Sequence, residues 1–247
     1  MARITAKSAG LLVDEFDFSG VSNSMDLDFA EAPADVTAFA DSDMTYIQGK
    51  PTFTFNVNGL WSTASPNYDG EMFTDLTATN RRVGIYPGGL SDGVFCYEGA
   101  PNISSSPRVS TAGDALACNV TWQGASAPFR STILRYATDS SSANGTQYTL
   151  GTIANTNTII GVLRLLEIGG SGNNTLDVKI QSDTSGYSSP TDRLTFTQLN
   201  QGSGATFETQ TATGPAGSDN IWRVVVTIGG AGSRSFKLIV GFGYYVT

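Results

Sequence analysis

Two segments in the first third of the chain alternate between apolar and polar residues, apart from a neutral Ala30 in the first of them. Residues 25–31 alternate Met, Leu and Phe with acidic residues, and residues 51–58 alternate Phe and Val with Thr and Asn. A period of two places successive side chains on opposite faces of a β-strand, so each segment predicts a strand with one core-facing and one polar face. The polar faces are expected to carry no cation and to consist of Asp26, Asp28, Glu31, Thr52, Thr54, Asn56 and Asn58.

The rest of the chain predicts strands and one short helix. Around residues 69–78, Asp69 is a suitable N-cap, Glu71 suits the first turn, and an apolar patch follows at helical spacing. Further strands are expected in the first half at 82–86, 93–97 and 115–123, and in the second half at 147–150, 158–168, 176–181, 193–198, 205–211, 221–228 and 235–245. Short Gly, Ser and Asn turns between strands are typical of an antiparallel Ig-like sandwich or a jelly roll.

Charge is distributed unevenly and predicts a domain boundary. Residues 1–130 contain 15 acidic and 7 basic residues, a net charge of -8, whereas residues 131–247 contain 7 of each, a net charge of zero. A chain of 247 residues is long enough for two β domains. The polar segment 139–146 is linker-like. We therefore expect an N-terminal domain at 1–130, a linker at 131–146 and a β-sandwich at 147–247.

The reactive groups of the chain argue against an enzyme. Histidine is absent, which excludes Ser–His and Cys–His nucleophile pairs. Cys96 and Cys118 cannot form a zinc site alone, and they are interpreted either as buried thiols or as a pair. The glycine-rich segments 169–172 and 229–232 lie between expected strands, so they predict hairpin turns and no phosphate site. Neither a cofactor nor a metal is expected.

Carboxylates are the only plentiful reactive groups, and they leave two alternatives open. A glycosidase needs two carboxylates facing each other across a cleft, but the acidic residues of segment 25–31 lie on one exposed strand. The loop containing Asp35, Asp41 and Asp43 could bind calcium through clustered oxygens, or it could be a solvated acidic loop. In the second half, an aromatic group could line a sugar-binding face or belong to the core: Tyr187, Trp222, Tyr244 and Tyr245.

Targeting signals are not recognised in the sequence. The apolar run at residues 10–13 is too short for a signal peptide, and no stretch approaches the roughly 18 apolar residues of a membrane span. Synthesis and folding in a reducing cytoplasm, without a membrane partner, are therefore expected.

The order of motifs in the first half resembles a known family of virion proteins. The loop Asp35-Val-Thr-Ala-Phe-Ala-Asp-Ser-Asp43 is followed by Tyr46-Ile-Gln-Gly49 and by the strand and turn Phe53-Thr-Phe-Asn-Val-Asn-Gly-Leu-Trp61. The segments 83–87, 93–97 and 115–123 fit the same pattern. Across residues 8–125 the chain resembles the major tail proteins, the tail tube proteins of long-tailed bacteriophages.

The resemblance implies a structural function in a virion tail. Tail tube subunits form stacked rings, usually with sixfold symmetry, and β-sheets of neighbouring subunits complete a continuous barrel around a channel. By resemblance, the polar faces of the two alternating strands would line this channel and repel passing DNA. The long loop 32–50 would contact adjacent subunits through Asp35, Thr37, Phe39, Asp41, Asp43, Tyr46 and Ile47.

The resemblance also implies partners and leaves alternatives. Partners would be further copies of the chain and other tail proteins, namely the tape measure, terminator and distal tail proteins, whereas DNA would pass without specific binding. The second half would be an added exterior β-sandwich, with weak glycan contact conceivable. A head decoration, neck or minor tail protein and a carbohydrate-binding adhesion module are the alternative functions.

Overall fold

The chain folds almost entirely into β-strands. The computed structural model describes residues 8–31, 33–40, 42–47, 49, 51–62, 68–75, 81–124, 128–184 and 186–245. Their elements in chain order are β1 (Gly10–Val13), β2 (Phe16–Asp17), β3 (Ser22–Glu31), β4 (Ala34–Asp35), β5 (Tyr46–Ile47), β6 (Pro51–Leu60), α1 (Tyr68–Asp75), β7 (Val83–Tyr86), β8 (Phe95–Gly99), β9 (Asn102–Ser105), β10 (Arg108–Val109), β11 (Ala117–Gly124), β12 (Phe129–Asp139), β13 (Ala143–Asn144), β14 (Tyr148–Thr149), β15 (Thr158–Gly170), β16 (Thr175–Asp183), β17 (Thr191–Thr195), β18 (Leu199–Asn200), β19 (Thr206–Thr213), β20 (Ile221–Gly229) and β21 (Arg234–Tyr245). The expected all-β class with a short helix is confirmed.

Two compact units divide the chain, and neither is contiguous in sequence. The sandwich unit comprises residues 1–17, 85–97 and 129–247. The other unit, called the single-sheet unit after its one large sheet, comprises residues 18–84 and 98–128 and also contains the small sheet β4-β5. The expected division into 1–130 and 147–247 therefore differs from the structure. The physical reason is strand pairing, because β1, β2, β7 and β8 from the first half extend the same sheet as β12, β15, β19 and β21.

The sandwich unit consists of two sheets packed on a shared core. One sheet has the strand order β19-β15-β21-β12-β8-β7-β1-β2, and the other has the order β13-β20-β16-β17, with β14 and β18 at its edges. Alternate residues of β15, β21, β16 and β20 form the core, in which the Trp222 and Phe242 rings stack at 4.2 Å. A second cluster, which includes Leu12, Cys96 and Ile239, combines residues from the N-terminal, middle and C-terminal parts of the chain within the eight-stranded sheet.

The segment expected to be a linker contains a central strand. Most of residues 131–146 falls in β12, which pairs with β21 over eight residue pairs, and in β13. Ser131, Ile133 and Leu134 are buried. Arg135 and Asp139 are also buried, and Arg135 Nε donates a hydrogen bond of 2.8 Å to the Asp139 carboxylate. Residues 129–139 thus form a paired strand with a buried ion pair, and the linker prediction is corrected.

Removing one charge of this pair is expected to destabilise the sandwich unit. The Asp139→Ala variant would leave the Arg135 guanidinium buried without its carboxylate, which costs about 3–5 kcal/mol. Chemical denaturation should show this loss in the free energy of unfolding. The Asp114→Ala variant, at an exposed turn, is the control and should remain within about 0.5 kcal/mol of the wild type. Equal effects of the two substitutions would contradict the structural role of β12.

The single-sheet unit is built around β6. The strand order is β10-β11-β6-β3, and β9 and β10 follow one another along the outer edge of β11. On one face of the sheet, apolar side chains of β6 and β11 are almost completely buried; they are Phe53, Phe55, Val57, Cys118, Val120 and Trp122. β3 is the last strand of this sheet, and it extends over ten residues.

Helix α1 belongs to the same unit and is attached through Tyr68, Met72 and Asp69. Tyr68 and Met72 are completely buried. Gly59 provides the space for Tyr68, since a Cβ atom there would lie 2.8 Å from the ring. Arg108 Nε on β10 donates a 2.6 Å hydrogen bond to the Asp69 carboxylate. The predicted helix is present at Tyr68–Asp75, and the remainder of the expected range, 76–78, lies outside the described residues.

Candidate functional site

The polar side chains of three strands form one continuous surface, here called the polar sheet face. The register pairs Asp26 with Asn56 and Asp28 with Thr54 between β3 and β6. On the other side of β6, β11 adds a third row of polar residues. The polar sheet face consists of Ser24, Asp26, Asp28, Ala30, Thr52, Thr54, Asn56, Asn58, Asn119, Thr121 and Gln123.

Neutral hydrogen bonds and two acidic side chains define the chemistry of this face. Thr121 Oγ1 donates to Asn56 Oδ1 at 2.9 Å, and Asn58 Nδ2 donates to Ser24 Oγ at 2.7 Å. Asp26 and Asp28 are exposed, and they are the only charged members of the polar sheet face as defined above. Strand geometry places residues two apart at about 7 Å, within one Debye length at physiological salt, so their potentials overlap. The face repels anions and offers them no basic partner.

Glu31 does not join this surface. It follows Ala30 in the strand and is paired with Pro51. Its side chain therefore lies on the same face of the sheet as that of Phe29, opposite the polar sheet face. The sequence prediction grouped it with Asp26 and Asp28 because all three are acidic. Period-two counting separates them, since residues 26, 28 and 30 share one face and residue 31 does not.

The contribution of β11 was not anticipated. Asn119, Thr121 and Gln123 alternate with Cys118, Val120 and Trp122, and this alternation is visible in the sequence. The missing information was strand pairing, because residues 117–124 pair with residues 53–60 across a long sequence separation. The same period-two signal that identified β3 and β6 would have assigned these side chains, once their neighbour was known.

A second exposed feature is the arm, defined as residues 33–47. Its two ends pair as β4 and β5, and Val36 N donates to Thr45 O at 2.9 Å. Thr37 is the centre of its hydrogen bonds: its amide and its hydroxyl both donate to Asp35 Oδ1, at 2.9 and 2.5 Å, and its hydroxyl accepts from the Thr45 amide at 2.9 Å. The arm therefore has a specific conformation without a hydrophobic core of its own.

The arm exposes an unusual amount of apolar surface. The Phe39 side chain is fully exposed, at 114% of the reference value, and Met44 is 73% exposed. Val36, Tyr46 and Ile47 are also exposed. Contiguous exposed apolar residues indicate an interaction surface. All the predicted contact residues of the loop belong to the segment 33–47. Of these, Asp41 lies outside the described residues.

The conformation of the arm is expected to depend on pH in acid. The hydrogen bonds from the Thr37 side chain and amide lower the pKa of Asp35 from its usual 3.8. Because the folded-state pKa is the lower one, the stabilisation is complete above about pH 4 and is lost as the pH falls through the folded value. The chemical shift of the Thr37 amide, followed by NMR from pH 7 to 2, should report this midpoint. A midpoint at or above 3.8 would contradict the Asp35–Thr37 interaction. Thr37→Val is the control: it removes the hydroxyl donor but keeps the amide donor, so it should bring the midpoint closer to 3.8.

The remaining candidate groups do not combine into a reactive site. Cys96 and Cys118 are both free and buried, which answers the question of their pairing, and burial raises the pKa of the Cys118 thiol. Among the described residues, no three His, Cys, Asp or Glu side chains cluster in a way that could hold a metal ion. Within the same part of the chain, no helix has the length and apolar character needed to cross a membrane.

The four aromatic residues considered for a sugar-binding face do not form one surface. Trp222 is completely buried in the sandwich core. The Tyr187 hydroxyl donates to Gln181 O at 2.8 Å, the Arg223 guanidinium lies 4.1 Å from the ring centroid, and burial raises the Tyr187 pKa to about 12. Tyr244 is 43% exposed. Tyr187 and Trp222 therefore have structural roles.

Comparisons with known proteins give distant structural similarities. No protein-family model matches the sequence, and no curated protein matches it. A chain of the virion of a native gene transfer agent (GTA) particle is 12% identical, with a TM-score of 0.40 over 51% of this chain and 97% of that chain. A chain from the tail of an empty GTA particle with C6 symmetry is 13% identical, with a TM-score of 0.36 over 48% and 92%. The SPP1 Dit protein, described as a paradigm of the hub adsorption apparatus in phages that infect Gram-positive bacteria, is 10% identical, with a TM-score of 0.36 over 96% and 99%. These similar chains belong to virion, tail and adsorption-hub proteins.

Proposed function

We propose that the protein is a structural subunit of a phage tail, and that its copies assemble into stacked rings of the tail tube. The polar sheet face would line the channel through which the genome passes. The observation that carries this proposal is the composition of that face, where Asp26 and Asp28 are the only charges. A surface for DNA binding would require Lys or Arg to neutralise phosphates, whereas this face repels them.

The position of β3 supports assembly through the sheet. A ten-residue strand at a sheet edge offers its backbone groups for pairing with another chain, and proteins usually cover or close such edges. Pairing of β3 with a strand of a neighbouring copy would extend the single sheet into a closed barrel, which removes the edge. The polar sheet face would then continue from copy to copy around the channel.

The arm supplies a second assembly surface. Its exposed apolar residues, including Phe39 and Met44, would become buried against an adjacent subunit in the same ring or the next one. Asp35 and Thr37 would hold the arm in its binding conformation before assembly. Further tail proteins would contact the ends of the tube.

Negative-stain electron microscopy of the purified protein at increasing concentration tests this function. The proposal predicts hollow tubes of uniform width with an axial repeat. Closed rings that never stack would favour the neck or hub position over the tube. Closed trimers or pentamers without a channel would favour a head decoration protein.

A further inference from the structure

The sandwich unit contains a cavity that has no role in the assembly proposed above. Its volume is about 450 Å³, and its walls come from β8, β12, β21 and residues 149–153. The lining includes Phe95, Arg130, Leu150, Ile153 and Tyr244. Phe95 and Tyr244 are 50% and 43% exposed, so two aromatic rings border a cavity that is large enough for an aromatic side chain.

Arg130 is the only charged residue of this lining. Its guanidinium lies 3.8 Å from the centroid of the Phe95 ring. No carboxylate among the described residues forms an ion pair with Arg130. The stacking on Phe95 holds the guanidinium in place, and its remaining N–H donors stay available for an acidic partner. An arginine beside exposed aromatic rings is typical of the energetic centre of a protein–protein interface.

The arm has the complementary chemistry. Residues 33–47 contain three aspartates and neither Lys nor Arg. Phe39 is fully exposed, and Asp43 lies four residues further along the same segment. An aromatic side chain near carboxylates matches a cavity with an aromatic rim and one unpaired cation. Because the Phe39 side chain is fully exposed, it is available to enter the cavity of another copy.

We propose that Phe39 of one copy inserts into the cavity of a second copy, where acidic residues of the arm pair with Arg130. This inference rests on the proposed self-assembly and names the two surfaces that meet. The contact is heterologous, since the Phe39 side chain, here called the knob, and the cavity are different surfaces of the chain. Such contacts propagate into rings or filaments. In this interface the Arg130 guanidinium gains a carboxylate partner and the Phe39 ring becomes buried.

Two single variants and their mixture test the contact. Phe39→Ser removes the aromatic ring that enters the cavity. Arg130→Glu places a negative charge in the cavity, which repels the carboxylates of the arm. Each variant alone should raise the concentration needed for assembly by roughly tenfold or more, as for the loss of one hot-spot residue. Phe73→Ser, at a 69% exposed phenylalanine outside the arm, is the matched control and should assemble like the wild type.

The mixture identifies the pairing. An equimolar mixture of the two variants retains one intact interface, between the arm of Arg130→Glu and the cavity of Phe39→Ser. Mass photometry should therefore show dimers in the mixture, whereas each variant alone should remain monomeric at the same total concentration. In one chain, the reversal Asp43→Arg combined with Arg130→Glu should restore part of the assembly.

Two outcomes would overturn the inference without affecting the proposed function. The first is normal tubes or rings from Arg130→Glu. The second is assembly of Phe39→Ser at the same concentration as the wild type, because the Phe39 side chain would then not be needed for the contact. A wild-type protein that never assembles would instead overturn the proposed function, and this inference with it.

Discussion

Phage particles carrying the double substitution Asp26→Lys and Asp28→Lys are expected to assemble but to deliver their DNA poorly. Both carboxylates are exposed, and neither forms a hydrogen bond or an ion pair within the described part of the chain, so the fold should tolerate the change. Each copy would place two cations in the channel. Phosphate contacts with lysine are favourable and multiply along a tube, so infectivity should fall by roughly tenfold or more.

Two further variants separate the effect of channel charge from other causes. The neutral pair Asp26→Asn and Asp28→Asn removes repulsion without adding attraction, and its effect should be smaller. The control for a single charge reversal is Asp114→Lys, at an exposed turn outside the polar sheet face. Its infectivity is compared with that of the single variant Asp28→Lys. Particle counts by electron microscopy give assembly, and plaque titre per particle gives DNA delivery. Full infectivity of the double lysine variant would contradict the assignment of this face to the channel.

The Phe53→Ala variant is expected to cause a large loss of stability in the single-sheet unit. Phe53 is 1% exposed, and its ring meets that of Phe55 edge-to-face at 5.0 Å. Gly99 and Gly124 make room for it, because a Cβ atom at these positions would lie 2.6 and 1.9 Å from ring atoms. Truncating a fully buried phenylalanine costs about 3–5 kcal/mol. Chemical denaturation monitored by a probe in this unit should show the loss.

Phe29→Ala is the matched control for this prediction. Phe29 is directly opposite Phe53 in the β3–β6 register and has the same phase, but it is 52% exposed. Its truncation should cost roughly 1 kcal/mol or less in the monomer, because much of the ring remains in water. In the assembled state the cost should increase if a neighbouring copy covers β3. Equal destabilisation of the monomer by both substitutions would contradict the packing described for this sheet.

Local periodicity was sufficient to predict the strands that alternate and the helix. β6 alternates strictly over residues 52–58 and β3 over residues 25–29, and α1 combines a first-turn acid with apolar residues at helical spacing. Seven strands of the second half were also predicted near their observed positions, because Gly, Ser or Asn turns bound them, whereas β12, β13 and β18 were not predicted. These signals are contained within the segment itself and do not depend on its neighbours.

Long-range pairing explains what the sequence could not predict. β12 does not alternate, and its Arg135 and Asp139 resemble surface residues until their mutual burial is known. The two units are discontinuous, because β1 and β2 join a sheet whose other strands lie far along the chain. The cavity beside Arg130 similarly combines residues from four separate segments, none of which forms a motif.

A cryo-electron microscopy map of the self-assembled protein tests the central claim most directly. The measurement is the position of the polar sheet face, identified by the side chains of Asp26, Asp28 and Asn56, relative to the axis of the assembly. The account predicts that this face lines a continuous channel and that β3 pairs with a strand of the neighbouring copy. An assembly with this face turned outward, or closed against the same face of another copy, would contradict it.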